Sequence, residues 1–281
     1  MTRQEVGNGD VSNLLNNIYR CADKSSWYSD VVNAYDRTRP RYPNQLLHRV
    51  QEIGQLRLGK KLLEIGSGSG IATIELAKLG LKVVAVEPSL SACDLAQSKC
   101  ADYPQVEFIN STFEEYQLTG DKFDAVVAST SFHWVTPEIR SQKTASVLRN
   151  GGYLILLWNT PPQPKTEVLQ ELAVVYRTFA PELTQQEDIK SHQQNIAKFG
   201  QEIIDSGYYQ DLISEQMICQ IDYTVDEYLT LLTTLSPYIR LKSSQRNTLL
   251  IELKKVLQSN YGDSLGLSYL SMLQAACKVD S

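Results

Sequence analysis

The chain has 281 residues, of which 42% are hydrophobic and 21% charged, and a formal net charge of −5. That is enough chain for one large domain or two small ones, with the composition of an ordinary globular protein. The acidic balance argues against a general nucleic-acid binder, which needs a basic face, and the strongest apolar run, Tyr153 to Trp158, is far too short to cross a bilayer.

Residues 1–26 are polar and rich in Asn and Ser, and a frayed start is expected there. Trp27 to about Leu58 reads as helical. Asn44 is a candidate cap for a helix whose apolar positions are Leu46, Leu47, Val50 and Ile53. Strands and helices then alternate: Lys61–Ile65 strand, Ile71–Leu79 helix, Lys82–Val86 strand, Ser89–Ala101 helix, Val106–Ile109 strand. Phe123–Ala128 is a fourth strand, Pro137–Leu148 a helix and Gly152–Trp158 a fifth strand. The alternation predicts a parallel sheet covered by helices on both faces, an α/β fold.

Pro161-Pro162-Gln163-Pro164 punctuates the chain after the fifth strand. Residues 165–205 look helical and polar, and Ile213–Tyr223 alternates as a strand does. Helical stretches near Val225–Leu235 and Ser243–Ser259 follow, and Leu265–Ala275 fits either a strand or a helix by local pattern. Five scattered cysteines (Cys21, Cys93, Cys100, Cys219, Cys277) contain no C-x-x-C pair and read as packing residues in a reducing compartment. Three histidines without ligand spacing give no basis for a metal site. No early segment has the pattern of a signal peptide, so a cytoplasmic location is expected, with no membrane partner.

The densest chemistry lies in Leu62-Leu63-Glu64-Ile65-Gly66-Ser67-Gly68-Ser69-Gly70, followed at the end of the next strand by Glu87-Pro88. Glycines let a backbone turn sharply and approach a ligand. An acid ending the second strand is placed to accept hydrogen bonds from ribose hydroxyls. The dinucleotide fingerprint would place glycine or alanine where this chain has Ile71. Glu64, entering the loop, would repel a pyrophosphate and suit a ligand with an amino group. S-adenosylmethionine has a ribose, an ammonium and a sulfonium, and no phosphate. The bland alternative is a plain glycine-rich turn.

This E-x-G-x-G-x-G segment resembles motif I of the class I S-adenosylmethionine-dependent methyltransferases, in their small-molecule branch. The resemblance implies a three-layer Rossmann-like fold with a seven-stranded, mostly parallel sheet and helical cap insertions. It favours a strand for Leu265–Ala275, in the closing hairpin. Residues 1–43 would form an N-terminal helical lid, 44–160 the cofactor-binding core, and 161–281 the cap insertions plus the hairpin.

Four further segments resemble the family. Asn110-Ser111-Thr112-Phe113 follows the third strand, where the family holds adenine; Thr112 stands where Asp is usual, and the amide and ring of Phe113 remain candidate contacts. Ser129-Thr130-Ser131-Phe132-His133-Trp134 follows the fourth strand. Ser129 and Thr130 would let the methionine part approach, and His133 is either a general base or part of the pocket wall. Trp134 is either core or a face toward the sulfonium.

Tyr35-Asp36-Arg37-Thr38-Arg39-Pro40-Arg41-Tyr42-Pro43 resembles the Y-D-x-x-R-P-x-Y-P element of the trans-aconitate methyltransferase-like group. There it covers the cofactor, which would bring Tyr35 and Tyr42 over the methionine end and let Arg39 pair with its carboxylate; a structural clasp is the alternative. Val147-Leu148-Arg149-Asn150-Gly151-Gly152-Tyr153 resembles the family's turn before strand five, with Asn150 in place of the usual proline as a helix stop and no chemical role. The cofactor-binding set is thus Tyr35, Arg39, Tyr42, Glu64, Gly66, Ser67, Gly68, Gly70, Glu87, Pro88, Thr112, Phe113, Ser129 and Thr130, with His133 as the catalytic candidate. The expected reaction is methyl transfer to a hydroxyl, carboxyl or amine of a small molecule. The rivals are a non-catalytic S-adenosylmethionine-binding protein and a nicotinamide-dependent oxidoreductase, against which the lack of a Tyr-x-x-x-Lys motif speaks.

Overall fold

The computed structural model describes residues 24–120, 122–184 and 189–280. Residues 1–23 of the segment read as a frayed start, Cys21 among them, lie outside the described residues, and residues 24–26 open a helix. Two helices come first, α1 (Lys24–Thr38) and α2 (Asn44–Ile53). Pro40 and Pro43 break what the sequence reads as one helical stretch, because proline lacks the amide donor and pushes its predecessor out of helical geometry. Pro43, extended at φ −59° and ψ 135°, holds the cap position of α2, and no side-chain hydrogen bond caps it. Asn44 is the first helical residue and not the cap.

The alternating part gives β1 (Lys61–Ile65), α3 (Ile71–Lys78), β2 (Lys82–Glu87), α4 (Leu90–Lys99), β3 (Val106–Asn110), β4 (Phe123–Ser129), α5 (Pro137–Val147) and β5 (Leu148–Asn159). The rest gives β6 (Gln163–Pro164), α6 (Thr166–Phe179), α7 (Ile189–Asp205), β7 (Tyr209–Thr224), α8 (Val225–Thr233), α9 (Ser236–Ile239), α10 (Ser243–Tyr261) and β8 (Ser264–Lys278). The sheet order is β3-β2-β1-β4-β5-β8-β6, with β7 on the far side of β8. The first five strands are parallel, and β8 runs antiparallel to both β5 and β7. Leu265–Ala275 is therefore a strand.

The sheet has eight strands where seven are expected. The extra one is β6, two residues that pair with Leu267 and Ser268 of β8 beyond the end of β5. Pro161 and Pro162 interrupt the ladder between the two because they offer no N–H. β5 also begins earlier than the pattern predicts. Its register slips between Phe123 and Ala125 of β4, and Gly151 takes φ +67° in the resulting bulge.

Successive strand residues face opposite sides of the sheet, so each strand fills two cores. Leu63, Ile65, Val126, Leu154 and Leu156 pack with Ala145 and Val147 of α5 and Ile196 and Ile203 of α7. Leu62, Val83, Ala85, Val127 and Ile155 pack with Leu46, Leu47 and Val50 of α2 and with Ala72 and Leu76 of α3. A third cluster joins Leu172, Leu231, Leu249, Leu253 and Leu257 from α6, α8 and α10 to Leu265 and Leu267 of β8. No helix of the described residues is long and apolar enough to cross a membrane.

Candidate functional site

β1 ends at Ile65, and the loop that follows turns at three glycines with positive φ: Gly66 at +66°, Gly68 at +55° and Gly70 at +78°. A Cβ on Gly66 would sit 2.6 Å from Ser131 Cβ, and one on Gly70 would sit 3.0 Å from Ala96 Cβ. Both positions thus need glycine for conformation and for space. The amides of Gly66 and Ser67 donate to Val86 O at 2.8 and 3.3 Å, which hangs the loop on β2.

Glu87 ends β2 beside this loop. Its Oε2 accepts from Gly68 N and its Oε1 from Ser89 N, both at 2.8 Å. The carboxylate is 5% exposed and is held in one orientation. Burial raises its pKa while the two amides pull it back down.

Glu64 has a different position from the one its sequence context implies. It is fully buried, does not line the cavity, and its Oε2 accepts from Thr73 Oγ1 at 2.6 Å. Burial pushes its carboxyl up to about 7 against the downward pull of hydrogen bonds from Thr73 and Ser129. Glu64 therefore ties β1 to α3 underneath the loop and does not face a ligand directly. Gly70 likewise stands off the cavity, where it lets α3 begin against α4.

Pro88, Thr112 and Phe113 line the cavity beside Glu87. The Thr112 hydroxyl is occupied by its own turn, accepting from Glu115 N at 3.2 Å and donating to Glu115 Oε2 at 3.1 Å. The Phe113 ring is 3% exposed, with Lys143 Nζ 5.4 Å from its centre. At the end of β4, Ser129 and Thr130 face the same cavity. Thr130 takes φ +54°, an unusual conformation for a β-branched residue. It is held there by its amide to Leu157 O at 2.7 Å and its hydroxyl to Tyr42 Oη at 2.8 Å.

His133 lies in a short 3₁₀ turn, Phe132–Trp134, and lines the cavity. Its ring centre is 4.8 Å from that of Trp134 and 5.6 Å from that of Trp158, and Trp158 lies 4.9 Å from Phe199 of α7. These four rings form an aromatic wall that reaches from β4 to α7.

Tyr35 and Arg39 enter from the other side, with the Arg39 guanidinium 4.5 Å from the Tyr35 ring centre and its Nη2 donating to Thr234 O at 3.2 Å. Two sets of contacts here were not legible as motifs. Asn159 Nδ2 donates to Pro40 O at 3.0 Å while its Oδ1 accepts from Ser271 Oγ at 2.6 Å, which straps the Arg39–Tyr42 link to β5 and β8. Asp36 Oδ1 accepts from Ser69 Oγ at 2.8 Å and from Lys99 Nζ at 2.5 Å.

Together these residues line a cavity of about 1920 Å³, bounded on its far side by α7, α8 and α9. Ser67 Oγ and Arg39 Nε are buried around it with no hydrogen-bond partner among the described residues. These unmatched polar atoms fit the amino-acid end of a bound S-adenosylmethionine, and Glu87 fits its ribose. Among the described residues no cluster of His, Cys, Asp or Glu has the make-up of a metal site.

Residues 63–156, which span the loop, β2 to β4 and most of β5, match the methyltransferase domain family. That stretch of the chain is therefore similar to a methyltransferase domain. An uncharacterized methyltransferase of Mycobacterium tuberculosis is 36% identical to it over 138 residues, 49% of this chain and 54% of the relative. The mitochondrial ubiquinone biosynthesis O-methyltransferase of Homo sapiens is 28% identical over 179 residues, 61% of this chain and 47% of that protein. The matched stretches thus span about half the length of these curated relatives. The fold of the chain is also that of a candidate type II methyltransferase from Anaeromyxobacter dehalogenans, with a TM-score of 0.62 at 20% identity over 85% of this chain and 97% of that one. A phosphoethanolamine N-methyltransferase of Haemonchus contortus, solved with S-adenosyl-L-methionine, gives 0.53 at 17% identity over 92% of this chain and 59% of that one.

Proposed function

We propose that the protein transfers the methyl group of S-adenosylmethionine to a hydroxyl, carboxyl or amine of a small-molecule metabolite. The observation that carries this reading is the joint between the glycine loop and the cavity. Glu87 is fixed at the loop, and the cavity of about 1920 Å³ beside it exceeds the roughly 300–1,000 Å³ that one small ligand takes. A second ligand can therefore sit against the first, under the cap formed by described residues beyond 161 and the lid formed by residues 24–43.

In this reading Glu87 accepts hydrogen bonds from the ribose on the lone pairs that Gly68 and Ser89 leave open. The amide of Phe113 serves the adenine in place of the Thr112 hydroxyl. Arg39 pairs with the carboxylate, and Tyr35 and Tyr42 close the methionine end. When bound, S-adenosylmethionine supplies an electrophilic methyl whose bonding pair leaves with sulfur. The chain's own contribution is to align the acceptor, exclude water and take up one proton. With a hydroxyl or amine acceptor His133 accepts that proton from the acceptor's oxygen or nitrogen, and an ionised carboxylate acceptor has no proton to give up.

Titration calorimetry with S-adenosylmethionine, joined to a methyl-release assay over a panel of alcohols, acids and amines, tests the reading. Binding with turnover on one acceptor class is the expected result. Binding without turnover on any would favour a sensing or assembly role, and preference for a nicotinamide dinucleotide would replace the reading altogether.

A further inference from the structure

We propose that Asp36 and Lys99 are positioning residues whose ion pair latches α1 over the glycine loop and sets how fast the cofactor leaves. The proposal rests on the cofactor reading above. Three elements meet at the Asp36 carboxylate. Lys99 Nζ, in the last turn of α4, reaches Asp36 Oδ1 at 2.5 Å and Ser69 O at 2.9 Å, while Ser69 Oγ donates to the same Asp36 oxygen at 2.8 Å. The ammonium therefore bridges α1 and the loop. Its place at the C-terminal end of α4 is favoured by the helix dipole. The side chains of Asp36 and Lys99 are 20% and 24% exposed, so their attraction is less screened than that of a fully exposed pair.

The neighbours of Asp36 give the latch its consequence. Tyr35 precedes it and Arg39 lies about one turn later, and both line the cavity. The link beyond α1 is anchored elsewhere. Thr38 O accepts from Tyr223 Oη, Pro40 O from Asn159 Nδ2, and Tyr42 Oη meets Thr130 Oγ1. Those anchors sit on β4, β5 and β7, not on the glycine loop. Breaking the Asp36–Lys99 pair leaves them in place and leaves only the Ser69 hydroxyl between Asp36 and the loop, so this part of α1, with Tyr35, lifts more readily from the cofactor. Arg41, 3.4 Å from Asp36 and half exposed, stays on the link side and cannot replace a bridge to the loop.

The test compares the full chain with Asp36→Asn, Lys99→Met, the double variant, and the charge-reversed pair Asp36→Lys with Lys99→Asp. Amide hydrogen exchange over residues 31–38 is measured without cofactor, with α2 as the internal reference. Release of S-adenosylmethionine is measured by stopped flow at low and high sodium chloride. Each single variant is expected to speed exchange in α1 but not α2, and to release the cofactor about tenfold faster, equivalent to about 1.4 kcal/mol. The double variant is expected to be no faster than either single one, the reversed pair to move back toward the parent, and release to quicken with salt only in the parent and the reversed pair. Unchanged exchange and release in both single variants, or additive effects in the double, overturn the latch. If the parent binds no S-adenosylmethionine, the cofactor reading and the release claim fall together, and exchange alone decides whether the latch exists.

Discussion

Tyr42 Oη and Thr130 Oγ1 lie 2.8 Å apart, across 88 residues of sequence, and join the lid segment to the end of β4. The tyrosine is 8% exposed and burial drives its hydroxyl pKa far above the usual tyrosine value, so it stays protonated. The same threonine oxygen accepts from Asn159 N at 3.2 Å, so one hydroxyl holds both the lid and β5. Tyr42→Phe removes one partner and is expected to cost about 1 kcal/mol of stability. It should also weaken cofactor affinity, because Thr130 loses the bond that fixes its positive φ. Chemical denaturation and calorimetry on the same protein check both effects, and unchanged affinity would confine Tyr42 to a structural clasp.

Glu87→Ala removes the acceptor on which the ribose assignment rests and leaves Gly68 N and Ser89 N without their partner. Hydrogen bonds to charged groups contribute about 1.5–3 kcal/mol, so cofactor affinity is expected to fall by one to two orders of magnitude. Calorimetry with S-adenosylmethionine reads this directly. Glu87→Gln, which keeps one acceptor oxygen, should fall between the two.

His133→Ala is expected to lower turnover by about 10²–10⁴ if the imidazole takes the proton, with cofactor affinity little changed. The pH profile separates this from a wall role, since loss of a base removes the acidic limb of the turnover curve. Turnover preserved across that limb would leave His133 as one ring of the aromatic wall between Trp134 and Trp158.

Gly66→Ala is expected to destabilise the protein by about 1–3 kcal/mol, because a Cβ there meets Ser131 Cβ at 2.6 Å and the backbone holds φ +66°. Adding Ser131→Gly should relieve the collision but not the strained backbone, and so recover only part of the loss. Thermal unfolding of the three proteins measures it. Full recovery in the double variant would show that contact alone matters.

Glu64 makes stability depend on pH. Its carboxyl titrates near 4.5 when free and near 7 in the fold. Below 4.5 both states hold the proton, and its contribution is fully present. Between 4.5 and 7 the unfolded chain has lost the proton and the folded one has kept it, so stability falls as pH rises. At the top of that window the loss is about 3 kcal/mol. Glu64→Gln keeps an acceptor for Thr73 and cannot ionise, so its stability should fall less than the parent's between pH 5 and 7. Parallel curves for the two proteins would show that Glu64 is ionised throughout.

The parts of this molecule that the sequence revealed are those written in short spacing. The glycine loop, Glu87 and the strand–helix alternation depend on neighbours a few positions apart, and they appear where the pattern places them. Glu64 was legible as an acid before the loop but not by its direction. Successive side chains on a strand alternate, so Glu64 turns under the loop toward Thr73 of α3. Asn159 and Lys99 carry no motif at all. Their work is done on Pro40, 119 residues away, and on Asp36, 63 residues away, and only the packing of the folded chain brings them there. Asp36 stood inside the lid motif without a partner to explain it. The strand β6 was hidden by the prolines that isolate it.

The β7–β8 ribbon has a further consequence. One end of β8, around Leu270 and Met272, is packed into the sheet core, while Leu265 and Leu267 at its other end belong to the leucine cluster of α6, α8 and α10. The side of the cavity bounded by α8 and α9 thus rests on a hydrophobic interior separate from the one that shapes the glycine loop. Substitutions in that interior can reshape this side of the chamber without disturbing the packing that holds the glycine loop. A fold divided in this way can diversify its chemistry at one end without relearning it at the other.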